Sequence, residues 1–196
     1  MKLFSPKGHC SRPITDRVKE SLFNVLCKFD LPDDAVVADL FCGVGSLGLE
    51  ALSRGSEFVS FVEQNPRIIA TLERNIEKAG FVKESKVIRA NAFKIGEWHG
   101  LPGSTGFQPV QTRPGWPCYY GLVFVDPPYV FTEDTGVGSP LSGLLDLLQE
   151  QVADDGLVVV RTERCITLLD GYGRLQVIER RQWGTMAVTI LKLAGK

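Results

Sequence analysis

Asp39-Leu40-Phe41-Cys42-Gly43-Val44-Gly45-Ser46-Leu47-Gly48 decides how this chain is read. An apolar run of strand length, Ala35 to Leu40, leads into it, and Ser46 to Arg54 suits a short helix that Gly55 stops. The segment is thus a strand, a glycine-rich turn and a helix, and the glycines let the backbone approach a ligand with no Cβ between them. Gly43, Gly45 and Gly48 also match the spacing of a dinucleotide site, so a nicotinamide-dependent oxidoreductase has to be weighed. Asp39 tilts the choice. At the strand end its carboxylate would meet a pyrophosphate with like charge. S-adenosylmethionine has no phosphate and carries a cationic sulfonium and a cationic α-amino group, so the same carboxylate becomes useful. A tight strand-to-helix turn with no ligand is the bland alternative.

Working outward, Phe58 to Glu63 reads as a second strand, and Asn65-Pro66 supplies an N-cap and an N1 proline for a helix running to Gly80. Glu63 ends that strand, where a carboxylate can accept both hydroxyls of a ribose. Lys86 to Asn91 is a third strand, and Asn91 could bond an adenine edge or simply end the strand in a turn. Leu122 to Val125 is a fourth strand, Leu141 to Val152 a helix and Gly156 to Arg161 a fifth strand. Strands alternating with helices predict βαβ units and a parallel sheet. The end of the chain differs: Leu175 to Arg181 and Met186 to Leu193, joined by Gln182-Trp183-Gly184-Thr185, predict a hairpin that adds an antiparallel strand. Upstream, Thr15 caps an amphipathic helix through Val18, Leu22, Val25, Leu26 and Phe29 that ends near Lys28. Residues 96–121, with six glycines and four prolines, fit neither period and read as an inserted surface loop rather than a lid.

Asp126-Pro127-Pro128-Tyr129 directly follows the fourth strand. In a doubly wound sheet the first and fourth strands flank the switch point, so the tetrad faces the glycine turn across the ligand crevice. An aromatic amine is a poor nucleophile because its lone pair is delocalised into the ring. If the Asp126 carboxylate and the Pro127 carbonyl accept its two N–H hydrogens, the lone pair is freed for attack. Pro127 and Pro128 hold these acceptors rigidly, and Tyr129 offers a face for an extruded base. These residues predict N-methylation of an exocyclic amino group of a nucleic-acid base.

Bulk properties set the bounds. The 196 residues, 44% of them hydrophobic, suit one domain with its own core. With 22 basic and 23 acidic side chains the net charge is -1, so no global field advertises a nucleic acid. Residues 1–28 hold six basic side chains against two acidic ones, and Lys2, Lys7, Arg12, Arg17 and Lys19 are candidate phosphate contacts; an ordinary solvated face explains the charges equally well. Five scattered cysteines without a C-x-x-C pair predict reduced thiols in the cytoplasm, and the two histidines lack metal-ligand spacing, so no metal is expected. No signal-peptide pattern or 18-residue apolar run is present, which predicts neither secretion nor a membrane span.

With these motifs placed, the chain resembles the RsmD family of bacterial 16S ribosomal RNA guanine-N2 methyltransferases. The resemblance lies in Arg12-Pro13-Ile14-Thr15-Asp16-Arg17-Val18-Lys19-Glu20-Ser21-Leu22-Phe23-Asn24, in residues 39–55 and in Val123-Phe124-Val125-Asp126-Pro127-Pro128-Tyr129. It implies a class I methyltransferase fold, α/β and Rossmann-like, with a seven-stranded, mostly parallel sheet holding one antiparallel strand and helices on both faces. It also implies S-adenosylmethionine contacts from Asp39, Phe41, Gly43, Gly45, Glu63 and Asn91, with Thr15, Asp16 and Arg17 over the methionine end or the RNA entrance. Asp126, Pro127, Pro128 and Tyr129 would hold the target amine. The implied partner is 16S ribosomal RNA or a small-subunit particle, met by a monomer. Residues 1–30 would form a covering segment of one methyltransferase domain. The family's basic N-terminal hairpin is not matched here, and residues 96–121 are foreign to its pattern. Two rivals share the amine chemistry: a DNA adenine-N6 methyltransferase, for which no target-reading region is visible, and a protein glutamine methyltransferase, which usually has Asn where Asp126 stands.

Overall fold

The computed structural model describes residues 3–5, 14–94 and 119–195. Strands β1 (Val36–Leu40), β2 (Phe58–Glu63), β3 (Ser85–Arg89), β4 (Tyr120–Val125) and β5 (Val152–Glu163) run parallel. They continue through β8 (Met186–Leu193), β7 (Leu175–Trp183) and β6 (Gly171–Tyr172) into one sheet of order β3-β2-β1-β4-β5-β8-β7-β6. The order reverses between β1 and β4, which makes their carboxyl ends the switch point.

Local chemistry sets the helices. Thr15 Oγ1 accepts from the Val18 N–H at 3.4 Å and starts α1 (Asp16–Leu26). Gly45, at a left-handed φ of 84°, starts α2 (Ser46–Ser53). Asn65 caps α3 (Pro66–Ala79) through the Arg67 N–H, and Gly80 at φ 80° ends it. Ser139 caps α4 (Pro140–Leu148), again with proline at its first position.

The two-residue alternation of side chains divides the core. Val37, Val59, Phe61, Leu122, Phe124, Leu157 and Val159 face α1, α2 and α3, whereas Ala38, Leu40, Val62, Val123, Val125, Val158 and Val160 face α4. Helices therefore cover both faces. Helix α2 lies closest: a Cβ on Gly48 would stand 2.4 Å from Phe61 Cε1 and 2.9 Å from Val59 Cγ1, and both residues are fully buried. Alanine favours a helix interior by about 1 kcal/mol over glycine, but overpacking costs about 1–3 kcal/mol. Gly48→Ala is thus expected to lower the urea unfolding midpoint; a raised midpoint would mean that α2 can lift off the sheet at no cost.

Three expectations need correction. The sheet has eight strands instead of seven, and two strands, β8 and the two-residue β6, run against the parallel set instead of one. Gly171-Tyr172 is too short to leave a period in sequence. The helix expected through Val152 ends at Leu148, because β-branched Val152 is drawn into the ladder opposite Tyr120 and opens β5. The loop expected over 96–121 lies outside the described residues except at its end, where Tyr120 and Gly121 already belong to β4. Helix α1 passes into a 3-10 turn over Cys27–Phe29, close to its expected end.

Candidate active site

Register brings the site together. Leu40, Val62, Val125 and Val160 stand level across β2, β1, β4 and β5, so the residues that follow emerge side by side at the carboxyl edge. These are Phe41, Glu63, Asp126 and Arg161, with Asp39 two residues below.

Asp39 is buried, and its carboxylate accepts the Gly48 N–H at 2.8 Å. Burial pushes its pKa up to about 8, helped by the Asp126 and Glu63 charges and opposed by the Gly48 hydrogen bond and Arg161. The neighbouring Cys42 thiol is pushed up as well, first by burial and then by the Asp39 and Glu63 carboxylates. The turn between them is tightly wound: Phe41, Gly43 and Gly45 have φ of 58°, 54° and 84°. Around a Cβ on Gly43 the first 4 Å are open among the described residues, while one on Gly45 would press Leu72 Cδ1 at 2.5 Å. Gly43 therefore keeps space open on one side of the turn, and Gly45 packs it on the other.

Glu63 Oε2 accepts the Gly43 N–H at 3.2 Å and Oε1 accepts the Asn65 N–H at 2.8 Å. One side chain thereby ties the glycine turn to the start of α3. A carboxylate has about four lone-pair sites, so both oxygens keep acceptor capacity for hydroxyls. Asn91 Oδ1 accepts from the Phe93 N–H at 3.0 Å, which is the turn alternative, and its amide hydrogens are not consumed by that bond.

Asp126 Oδ1 lies 2.6 Å from Arg161 Nε, with the two side chains 19% and 12% exposed. Burial raises the Asp126 pKa to about 6 and the guanidinium opposes the rise. Pro127 is buried, and Tyr129 starts a 3-10 turn closed by the Thr132 hydroxyl donating to its carbonyl at 2.8 Å. The Tyr129 ring is half-buried and its hydroxyl has no partner among the described residues. Val130 and Phe131, next in the turn, are exposed.

The expected RNA contacts divide. Arg17 is exposed on α1. Lys19 is not available in the same way: its ammonium pairs with Glu50 at 3.2 Å and Asp16 at 3.5 Å, and its side chain is 12% exposed. Thr15 spends its hydroxyl oxygen on the cap of α1. Lys2, Lys7 and Arg12 lie outside the described residues.

Sequence reasoning missed three neighbours. Phe93 packs at a tilt between Phe41 and Phe131, with centroids 4.8 and 5.0 Å away, so an aromatic row joins the glycine turn to the loop after the tetrad. Arg161 is the third. Its signal was present as the first charge after the apolar run Leu157–Val160, at the carboxyl end of a strand next to β4. Among the described residues no three His, Cys, Asp or Glu side chains group as a metal site, and no helix is long and apolar enough to cross a membrane.

Comparison with known proteins places this arrangement. The family model described as "Conserved hypothetical protein 95" matches residues 1–192. The Bacillus subtilis (strain 168) protein named "Putative rRNA methyltransferase YlbH" is 32% identical over 190 residues, 96% of this chain and 91% of its own. Ribosomal RNA small subunit methyltransferase D of Escherichia coli (strain K12) is 32% identical over 166 residues, 83% of this chain and 69% of its own. Among solved structures, the Escherichia coli protein titled "Putative methyltransferase yhhF" superposes with a TM-score of 0.74 at 28% identity, covering 100% of this chain and 93% of that one. An RNA methyltransferase from Salinibacter ruber, in complex with S-adenosyl-L-homocysteine, shares the fold at a TM-score of 0.63 and 13% identity, over 94% of this chain and 95% of that one. The fold is that of the class I methyltransferases, and the chain belongs to the Conserved hypothetical protein 95 family, which includes ribosomal RNA small subunit methyltransferase D.

Proposed function

We propose that this protein transfers a methyl group from S-adenosylmethionine to the exocyclic N2 amine of a guanine in 16S ribosomal RNA. The observation that carries this reading is the placing of Asp126-Pro127-Pro128-Tyr129 beside a glycine turn walled by two further carboxylates, Asp39 and Glu63. The curated relatives named for ribosomal RNA methylation support the RNA substrate.

The donor set suits a cationic nucleoside cofactor. Burial keeps Asp39 largely protonated near neutral pH, and a cation bound beside it would draw off that proton and pair with the carboxylate. A pyrophosphate offers Asp39 no such counter-charge, which tells against an oxidoreductase. Bound S-adenosylmethionine would supply an electrophilic methyl group on a sulfonium. Glu63 would accept the ribose hydroxyls, Gly43 and Gly45 would give the backbone close approach, and Phe41 and Asn91 would border the adenine. At the other side Asp126 and the Pro127 carbonyl would accept the two N–H hydrogens of the amine and aim its lone pair. As the N–C bond forms, the methyl–sulfur bond would break and leave neutral S-adenosylhomocysteine, and the surplus proton would pass from nitrogen to the Asp126 carboxylate and on to solvent. A carboxyl with pKa near 6 can both take and release it near neutral pH. Arg17 from the described part of the N-terminal region, with Lys2, Lys7 and Arg12, would hold phosphates.

Incubation with unmodified 16S RNA and with small-subunit particles, followed by mass mapping, tests the substrate: a methyl on guanine N2 is expected. Methylation of DNA adenine or of a protein glutamine instead would select a rival. Glu63→Ala is expected to weaken S-adenosylmethionine binding about 10–100-fold, the worth of one or two hydrogen bonds to a charged acceptor. Wild-type affinity by calorimetry would remove Glu63 from the cofactor site.

A further inference from the structure

Arg161 is a cation set among carboxylates. Val160 pairs with Val125, so Arg161 and Asp126, the next residues of neighbouring parallel strands, lie side by side at the edge of the sheet. Their side chains meet at 2.6 Å with little exposure. The guanidinium acts on the carboxylate through its charge and through a side-chain hydrogen bond. Charges from each packed strand act here: Asp39 from β1 feels Asp126 on β4, Glu63 at the end of β2 and Arg161 on β5. Burial and the Asp126 and Glu63 charges disfavour ionisation of Asp39, while at Asp126 burial disfavours the anion and the guanidinium opposes it.

We propose that Arg161 is a positioning residue for methyl transfer: it keeps the Asp126 carboxylate anionic and fixed at the sheet edge, with Oδ1 against the guanidinium and Oδ2 left for the target amine. An ion pair that merely braced two strands would be redundant here, because the ladder already joins β4 to β5 up to Val125 and Val160. What the pair adds is control of the tetrad's first side chain. The burial of Asp126 works against its anionic form and Arg161 works for it. The proposal rests on the methyl-transfer reading given above.

Single-turnover methylation of 16S RNA by the full-length protein, at saturating cofactor and across pH, is the test, with Arg161→Met and Arg161→Lys as variants. Arg161→Met is expected to lose about tenfold in rate near neutral pH, which takes a rise of about two units in the pKa that must be exceeded, starting from about 6. Its acid limb should move to higher pH, so that part of the loss is recovered in alkaline buffer. Arg161→Lys should keep the wild-type limb and most of the rate. Cofactor affinity should stay within about threefold in both, since Arg161 is assigned to the amine side. A wild-type rate and profile in Arg161→Met overturns the inference, as does a loss that is equal at every pH and not restored by lysine. If Arg161→Met does not fold, Arg161→Gln makes the same comparison, and if neither folds while Arg161→Lys has a shifted limb, the role is structural and the inference fails. Inactive wild-type protein would instead count against the methyl-transfer reading, whereas an inactive Asp126→Ala beside an unaffected Arg161→Met counts against Arg161 alone.

Discussion

Asp126→Ala is expected to lower single-turnover methylation by about 10²–10³, the usual cost of removing one preorganised polar contact at a reacting centre. The carboxylate is proposed to accept an N–H of the amine, so cofactor affinity should be spared. Asp126→Asn keeps a carbonyl oxygen that can accept the same hydrogen but lacks the charge that steadies the developing ammonium, so it should fall between alanine and wild type. The alanine change also removes the carboxylate in contact with the Arg161 guanidinium, 12% exposed, and that can cost several kcal/mol of stability. Calorimetric titration with S-adenosylmethionine separates the two effects. Wild-type methylation by Asp126→Ala, or a loss of cofactor affinity as deep as that of Glu63→Ala, would remove Asp126 from its assigned role.

The second large effect concerns Asp39, whose replacement by asparagine should stabilise the cofactor-free protein and weaken cofactor binding. Its folded pKa of about 8 lies above the ordinary value of 3.8, so between these values the native state holds a proton that the unfolded chain has released. Unfolding then releases protons, and native stability falls as pH rises through that window, levelling near pH 8. Asparagine has no charge to bury and still offers an oxygen to the Gly48 N–H. Each tenfold difference in proton affinity is worth about 1.4 kcal/mol. After relaxation of the site, a gain of roughly 2 kcal/mol at pH 8 is expected, or about 4–8 °C in Tm for a chain of this size. The gain should vanish towards pH 4. The cofactor loses a carboxylate partner for its cations, which should weaken binding about 10–100-fold. Melting curves of Asp39→Asn that match wild type at both pH 4 and pH 8 would show that Asp39 is not a strained anion.

Most of the sheet was legible because its strands announce themselves. Phe58–Glu63 and Met186–Leu193 fall where apolar runs and turn residues put them, and the Asn65-Pro66 and Gly80 signals bound α3 within a residue. What escaped was set by long-range pairing. Val152 reads as the last residue of an apolar helix until Tyr120 is placed opposite it, and Gly171-Tyr172 becomes a strand only because β7 is there to pair. At the site, Asp39, Glu63 and Asp126 could be named from their positions after apolar runs. Arg161 has the same position on β5, but its meaning depends on β5 lying beside β4, which no local pattern states. The occupation of Lys19 is also non-local, since Glu50 is 31 residues away on another helix.

That occupation has a mechanical consequence. Lys19 reaches Glu50, Glu50 reaches Arg54 at 2.8 Å, and the Arg54 guanidinium lies 4.9 Å from the centre of the Phe23 ring, which is itself fully buried. Two rivets of different kind thus fasten α1 to α2, one ionic and one cation–π. Leu22, Val25 and Leu26 add apolar weight to the joint. Because Gly45 starts α2, these contacts tie the helix bearing Thr15 and Arg17 to the element that follows the turn around Gly43. Across the crevice no such rivet reaches Val130 or Phe131 among the described residues, and both stand exposed after the tetrad.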